Sequence, residues 1–371
     1  MDISRATIIH MKLLYDARYI RPDFHDGISR YTTEIANALA KQTKVTFIIS
    51  DEKQLAFLPD NAEFVKIHAP ISALEPFTSL ILNKFKPDVV FSPLFSMGTF
   101  GRRFKLILTS HDMIYVHHPE PPLDIQNKLL RLGWRVYYST NLAMSITLNS
   151  ADIVNTVSES AKQEFIDAHL TKRPIIVTPN APKPLDKLLE KPVDVSKKKP
   201  RNIVYMGAFI SYKNVETLLK GMKYLPEYTL HLLSHLPPEE RYRELLAMIP
   251  EGAKIIWHKG VTDQKYADLL ADNAFLASAS LDEGFGLPVV EAQSLGVPTV
   301  LTDMPVFHEV AGDGSLFFDA HDPKDFADKV KQLDDDELRE KLSRAAKKHA
   351  AQYSWDASAT KLLAAITSLL Q

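Results

Sequence analysis

The chain contains no cysteine, which excludes disulfides and thiolate chemistry and suits a reducing compartment. It has no surplus of one charge. The 44 Lys and Arg stand against 46 Asp and Glu, a net −2, so it lacks the electrostatic footprint of a nucleic-acid binder. No apolar run is long enough to span a membrane. The opening residues, MDISRATIIHMK, lack the apolar core of a signal peptide, so a cytoplasmic location is expected. No repeat appears at solenoid periods. No G-x-G-x-x-G follows a first strand, which argues against a dehydrogenase.

What is present is the composition of a soluble globular protein. Its 371 residues are 45% hydrophobic and 24% charged, enough for two ordinary domains with sizeable cores. Apolar segments recur at 12–18, 45–50, 63–67, 88–93, 105–111, 152–158 and 174–180, with helical or loop stretches between them. The first helix is expected from Ile28 to about Lys41. Strands alternating with helices predict a parallel sheet covered on both faces. Residues 182–200 are rich in proline and lysine and read as a linker. A second alternation begins at 201 and ends in a helical stretch, SWDASATKLLAAITSLL. The expected domains are therefore 1–181, a linker at 182–200, 201–353, and a terminal helix at 354–371.

In open α/β sheets ligands bind beyond the carboxyl ends of the strands. Four such segments carry candidate residues. HDGISRY places Gly27 at a helix start, where a phosphate can approach the backbone. SHDMIYVHHPE ends a strand at His111. YMGAFISYKN carries Gly207 and Lys213, the lysine in what reads as the first turn of a helix. A cation is mildly unfavourable there unless it serves an anion. EGFGLPVVEA separates Glu283 from Glu291 by seven residues, with Gly284, Phe285, Gly286 and Leu287 between. A glycine turn between strand and helix leaves the first helical N–H groups available to an anion. Pro288 suits that first turn.

Two acidic or histidine groupings suggest metals but have simpler readings. His111, Asp112, His117 and His118 lack the spacing of a known helix site. Asp334, Asp335 and Asp336 precede a clear helix and read as its cap and dipole partners.

The string EGFGLPVVEA resembles the E-x7-E motif of the family 4 glycosyltransferases, retaining enzymes of GT-B fold. The resemblance implies two Rossmann-like α/β domains with parallel sheets facing across a cleft, the last helix crossing back to the first domain. It implies a nucleotide diphosphate sugar as donor and a sugar, polyol or lipid-linked acceptor, with no metal and no cofactor. Glu283 would then contact hydroxyls of the donor sugar. The backbone from Gly284 through Phe285, Gly286 and Leu287 would hold sugar and phosphate, and Glu291 would hold the ribose. His111 would contact the donor sugar, Gly27 would border the diphosphate, and Gly207 with Lys213 would supply the cationic segment. The arginine that relatives often place just after that glycine is Ala208 here. A GT-B nucleotide-sugar epimerase, a glycoside phosphorylase and a non-enzymatic sugar-binding protein stay open as alternatives. The stretch NKLLRLGWRVYY mixes basic and aromatic residues and reads either as a core helix of the first domain, the preferred reading, or as a peripheral membrane contact.

Overall fold

The computed structural model describes residues 11–23, 26–121, 127–138, 140–196 and 199–371. The extension 1–10 and two residues of the HDGISRY approach, Phe24 and His25, lie outside them. The chain divides into two compact units, one of residues 1–180 with 354–371, the other of 181–353.

The first unit is built on seven strands: β1 (Leu13–Asp16), β2 (Val45–Ile49), β3 (Glu63–Lys66), β4 (Val89–Ser92), β5 (Lys105–Thr109), β6 (Ile153–Thr156) and β7 (Ile175–Val177). They pair in parallel in the order β3-β2-β1-β4-β5-β6-β7. The central strands β1 and β4 are buried along their whole length, as expected where helices or loops cover both faces. Each strand is shorter than the apolar segment that predicts it, because flanking residues turn out into loops. The first helix, Gly27–Ala40, is capped by Asp26, whose carboxylate accepts from the Ser29 amide at 2.8 Å. The terminal helix Trp355–Ser368 packs on it. Ser358 donates to the Pro179 carbonyl at 2.7 Å and Gln42 to that of Asp356 at 2.9 Å.

A buried ion network ties the loops after β1 and β3. Arg18 pairs with Asp16 and with Glu75, both through two N–H groups, and donates again to the His68 carbonyl. All its donors are used, so Arg18 is a brace and not a ligand-binding cation.

The second unit holds β8 (Asn202–Tyr205), β9 (Thr229–Leu232), β10 (Lys254–Trp257), β11 (Ala274–Ser278), β12 (Thr299–Thr302) and β13 (Ser315–Phe318), parallel in the order β10-β9-β8-β11-β12-β13. One core cluster beneath it includes Phe209, Val215, Phe275, Phe318 and Phe326. The described residues of 182–200 run along this unit. Leu185 is fully buried, Lys183 pairs with Asp263 at 2.5 Å, and the Leu188 and Val195 carbonyls accept from Gln264 and Arg339. The stretch has no periodicity, so its sequence shows only the absence of a helix or strand. It is held by one buried leucine, one lysine ion pair and backbone carbonyls, a set with no sequence signature.

Among the described residues no helix is long and apolar enough to cross a membrane.

Candidate functional site

Both sheets reverse their strand order once, and such switch points open crevices at the carboxyl ends of the strands. In the second unit the reversal lies between β8 and β11. The loop 206–214 follows β8 and the loop 279–286 follows β11. They are joined by a backbone hydrogen bond from Leu281 to the Tyr212 carbonyl, 2.8 Å. This join brings Lys213 Nζ to 2.6 Å from Glu283 Oε1, and Ser280 Oγ donates to the same oxygen at 2.8 Å. The Lys213 and Glu283 side chains are only 16% and 15% exposed, so water screens this pair less than a surface pair.

Lys213 does not stand in an α-helix. It ends a 3-10 turn, Ser211–Lys213, and Asn214 follows in the left-handed region at φ 48° before the helix Val215–Gly221 begins. Asn214 is held there by donating to the Ala320 carbonyl. The lysine thus precedes the helix tip, and its charge is met by Glu283.

Gly286 opens the helix Leu287–Ser294 at φ 93°, and an added Cβ would stand 3.0 Å from the Phe307 ring. The left-handed backbone favours glycine, and the ring leaves little room for a side chain. Phe285 is 3% exposed, its ring edge-on to Tyr353 at 5.3 Å, so it can offer a ligand only its backbone. Leu287 and Pro288 begin the helix, whose first N–H groups have no partner within the helix. Glu291 lies about one turn in and is buried. Gly284 lies in the connecting loop.

Gly207 follows β8, with its amide donating to Ser234 Oγ at 3.2 Å. The Tyr205 hydroxyl folds back beneath it to donate to the Ala208 carbonyl, and a Cβ on Gly207 would meet that hydroxyl at 2.8 Å. Ala208 is exposed. Beside it stands a cation that the sequence reading missed. Arg241, on the helix Glu239–Ala247, donates to the Phe209 carbonyl at 2.9 Å and pairs with Glu216 and Glu244. It lies 33 positions along the chain from the Ala208 loop, on a separate helix, and no local motif marks it. Arg102 is committed elsewhere, to Asp152 and the Ser150 carbonyl.

In the first unit His111 follows β5, and its Nε2 lies 2.9 Å from the Pro93 carbonyl after β4. A carbonyl only accepts, so Nε2 carries the proton and Nδ1 presents its lone pair. Burial lowers the imidazole pKa to about 4, which keeps it neutral. The ring meets the edge of Tyr31 at 4.8 Å. Tyr31 is fixed in turn: Asn155 donates to its hydroxyl at 2.8 Å, which also lies 2.9 Å from Thr178 Oγ1. Tyr31 and Asn155 were not legible as site residues, since a helix tyrosine and a strand asparagine carry no motif. The same helix starts at Gly27, where an added Cβ would meet nothing within 4 Å. No packing demands glycine there, and its absent side chain leaves the helix tip open.

Among the described residues no group of three or more His, Asp or Glu side chains is arranged to hold a metal. Asp112 accepts from the Ile114 amide. Asp335 caps the helix Asp336–Ala350, Asp334 pairs with Arg201 at 2.7 Å, and Asp336 pairs with Arg339.

The second unit also holds a histidine pair. His231 on β9 is 3.0 Å from His258, and its other nitrogen lies 3.1 Å from Asn202 Oδ1. Burial, then the neighbouring His258, lowers the His231 pKa to about 4. A folded pKa below the unfolded value near 6.5 means that the unfolded chain binds more protons between those limits. Stability is then full above pH 6.5 and falls as pH drops toward 4. Thermal unfolding scanned across that window should show the loss for wild type and a shallower slope for His231→Phe. Equal slopes would remove His231 from the account.

A family model described as Glycosyltransferase Family 4 matches residues 25–181, and one described as Glycosyl transferases group 1 matches 186–349. The chain is 28% identical over 299 residues to an O-antigen chain mannosyltransferase B of Escherichia coli, covering 76% of this chain and 74% of that one. It is 24% identical over 253 residues to the O-antigen chain mannosyltransferase RfbU of Salmonella typhimurium, covering 67% of this chain and 65% of the relative. Among solved structures, a sucrose-phosphate synthase from Thermosynechococcus elongatus superposes with TM-score 0.74 at 17% identity, covering 97% of this chain and 99% of that one. Anabaena Alr3699/HepE, in complex with UDP and glucose, superposes with TM-score 0.69 at 17% identity, covering 97% and 100%. At those identities the superpositions speak to the fold alone, and the fold they share is GT-B.

Proposed function

The chain belongs to the family 4 glycosyltransferases, and from that membership we propose that it transfers a hexose from a nucleotide diphosphate sugar, with retention at the anomeric carbon and without a metal. The acceptor is a hydroxyl of a growing cell-surface polysaccharide or lipid-linked glycan, met by a cytoplasmic enzyme at the membrane surface. The O-antigen chain in the names of the two relatives supports this acceptor class. One observation carries the donor half. Lys213 and Glu283 are paired at the switch point of the second sheet, and Glu283 stands three residues before Gly286, which opens a helix.

The chemistry follows from those parts. The acceptor oxygen bonds to the anomeric carbon as the bond from that carbon to the diphosphate oxygen breaks. The acceptor proton passes to the departing phosphate, so attack and departure share one face. Negative charge builds on the diphosphate, and Lys213 with the helix tip after Gly286 stabilises it. Gly27 leaves the tip of its helix open to the phosphates, and Gly207 borders them. Glu283 accepts from the sugar hydroxyls, and Glu291 from the ribose. Neutral His111 accepts a hydrogen bond from a sugar hydroxyl at Nδ1.

A thermal-shift screen of nucleoside diphosphates and their sugars tests the donor half. A true donor at a hundred times its Kd stabilises by about 2.7 kcal/mol. Glu291→Ala should weaken that binding by roughly 1.5–3 kcal/mol, the worth of a hydrogen bond to a charged group, with a smaller effect on turnover. No shift with any nucleotide would overturn the donor assignment, and unchanged affinity in Glu291→Ala would overturn the ribose contact.

A further inference from the structure

The helices Lys128–Tyr138 and Leu142–Asn149 of the first unit turn aliphatic side chains to solvent. Leu129 is 79% exposed, Leu132 59%, Leu142 65% and Ile146 64%. The second helix is apolar on opposite sides. Met144 and Leu148 are buried, while Leu142 and Ile146 lie half a turn away from them. Packing in the unit accounts for the inner pair only. The preferred sequence reading of 127–138 as a core helix therefore fails for Leu129 and Leu132. In the first helix these leucines are three positions apart and share one stripe, and Lys128, Arg131 and Arg135 form the neighbouring stripe. From Ile125 to Ala151 there is no Asp or Glu, in a chain that has 46.

We propose that this pair of helices is a docking surface for a bilayer carrying anionic lipid headgroups, with the exposed leucine and isoleucine side chains entering the headgroup boundary and Lys128, Arg131 and Arg135 pairing with lipid phosphates. Exposed aliphatic side chains flanked by cations on an amphipathic helix are the pattern of interfacial binding. A second copy of the chain is the weaker occupant, because a two-fold contact sets the same cationic stripe against itself. The surface deepens the reading of a membrane-borne acceptor and rests on that reading for its purpose, though not for its chemistry.

Co-sedimentation of the full chain with vesicles tests it. Binding is expected to phosphatidylcholine vesicles containing phosphatidylglycerol, to weaken as salt rises, and to be much poorer with phosphatidylcholine alone. Each cation near such a surface contributes about fivefold to partitioning, so Lys128→Gln, Arg131→Gln and Arg135→Gln together should cost on the order of a hundredfold. Leu142→Ser with Ile146→Ser should also weaken binding, with nucleotide-induced thermal shifts unchanged in both variants. If a variant fails to fold, the lipid and salt dependence of the wild type still decides. Absence of binding to anionic vesicles at low salt, equal binding to both vesicle types, or concentration-dependent dimerisation abolished by the Ile146 change would overturn the proposal. A missing nucleotide shift in wild type would instead strike the donor reading and leave the surface standing.

Discussion

Lys213→Ala is expected to lower kcat by roughly 10²–10³, about 2.7–4 kcal/mol, the scale for removing one preorganised donor from a developing anion. The expectation rests on where the charge changes. In the free enzyme Lys213 already has a partner, Glu283, at 2.6 Å. A ground-state diphosphate competes with that carboxylate and gains little over it. As the glycosidic bond breaks, the diphosphate acquires further negative charge and the lysine's interaction with it strengthens. Loss of the lysine should therefore fall on kcat and only weakly on the binding of the nucleoside diphosphate. Ala208 offers no second cation, so Lys213 carries the load an arginine there would share. Arg241 is the rival. It reaches the neighbouring Phe209 carbonyl but is held by Glu216 and Glu244. Partial rescue of Lys213→Ala by Ala208→Arg would support the electrostatic account. Near-normal turnover in Lys213→Ala alone would refute it, and Arg241→Gln would then be the next variant to measure.

The legible and illegible parts of the molecule divide along a physical line. Strand and helix identity depends on local periodicity, so both sheets and the terminal helix follow from the order of apolar runs. The glycine turn at Gly286 is legible too, because a left-handed residue before a helix has few sequence solutions. The pairing of Lys213 with Glu283 is not. It depends on the reversal of strand order that makes β8 and β11 neighbours, and nothing local to either loop encodes that. The same holds for the Arg18 brace, whose partner Glu75 lies two strands later in the chain, and for Tyr31, which meets His111 only because the first helix packs across the end of β5. Exposure on the helices at 128–149 is illegible for a different reason. An aliphatic stripe at helical spacing has the same sequence whether it faces a core or a lipid surface.

Glu283→Gln should separate binding from transfer in the opposite sense to an ordinary site mutation. Glutamine keeps the side chain's size and can still accept from Ser280, but it removes the charge that holds Lys213. The freed lysine should bind a nucleoside diphosphate at least as tightly as in wild type, since its competing carboxylate is gone. Transfer should nevertheless fall, because the amide accepts more weakly from sugar hydroxyls than a carboxylate does. The loss of a hydrogen bond to a charged group is worth roughly 1.5–3 kcal/mol, or about 10- to 150-fold in rate. Calorimetry with the diphosphate and steady-state transfer by the same variant measure the two halves. Weakened diphosphate binding would show that Glu283 orders Lys213 for the phosphate instead of restraining it, and the double variant Lys213→Ala with Glu283→Gln would then add nothing to Lys213→Ala. If Glu283 faces the sugar, the double variant must be slower than either single one. A covalent role for Glu283 makes a third outcome: turnover abolished in Glu283→Gln, with a glycosyl-enzyme trapped on Glu283 in the wild type.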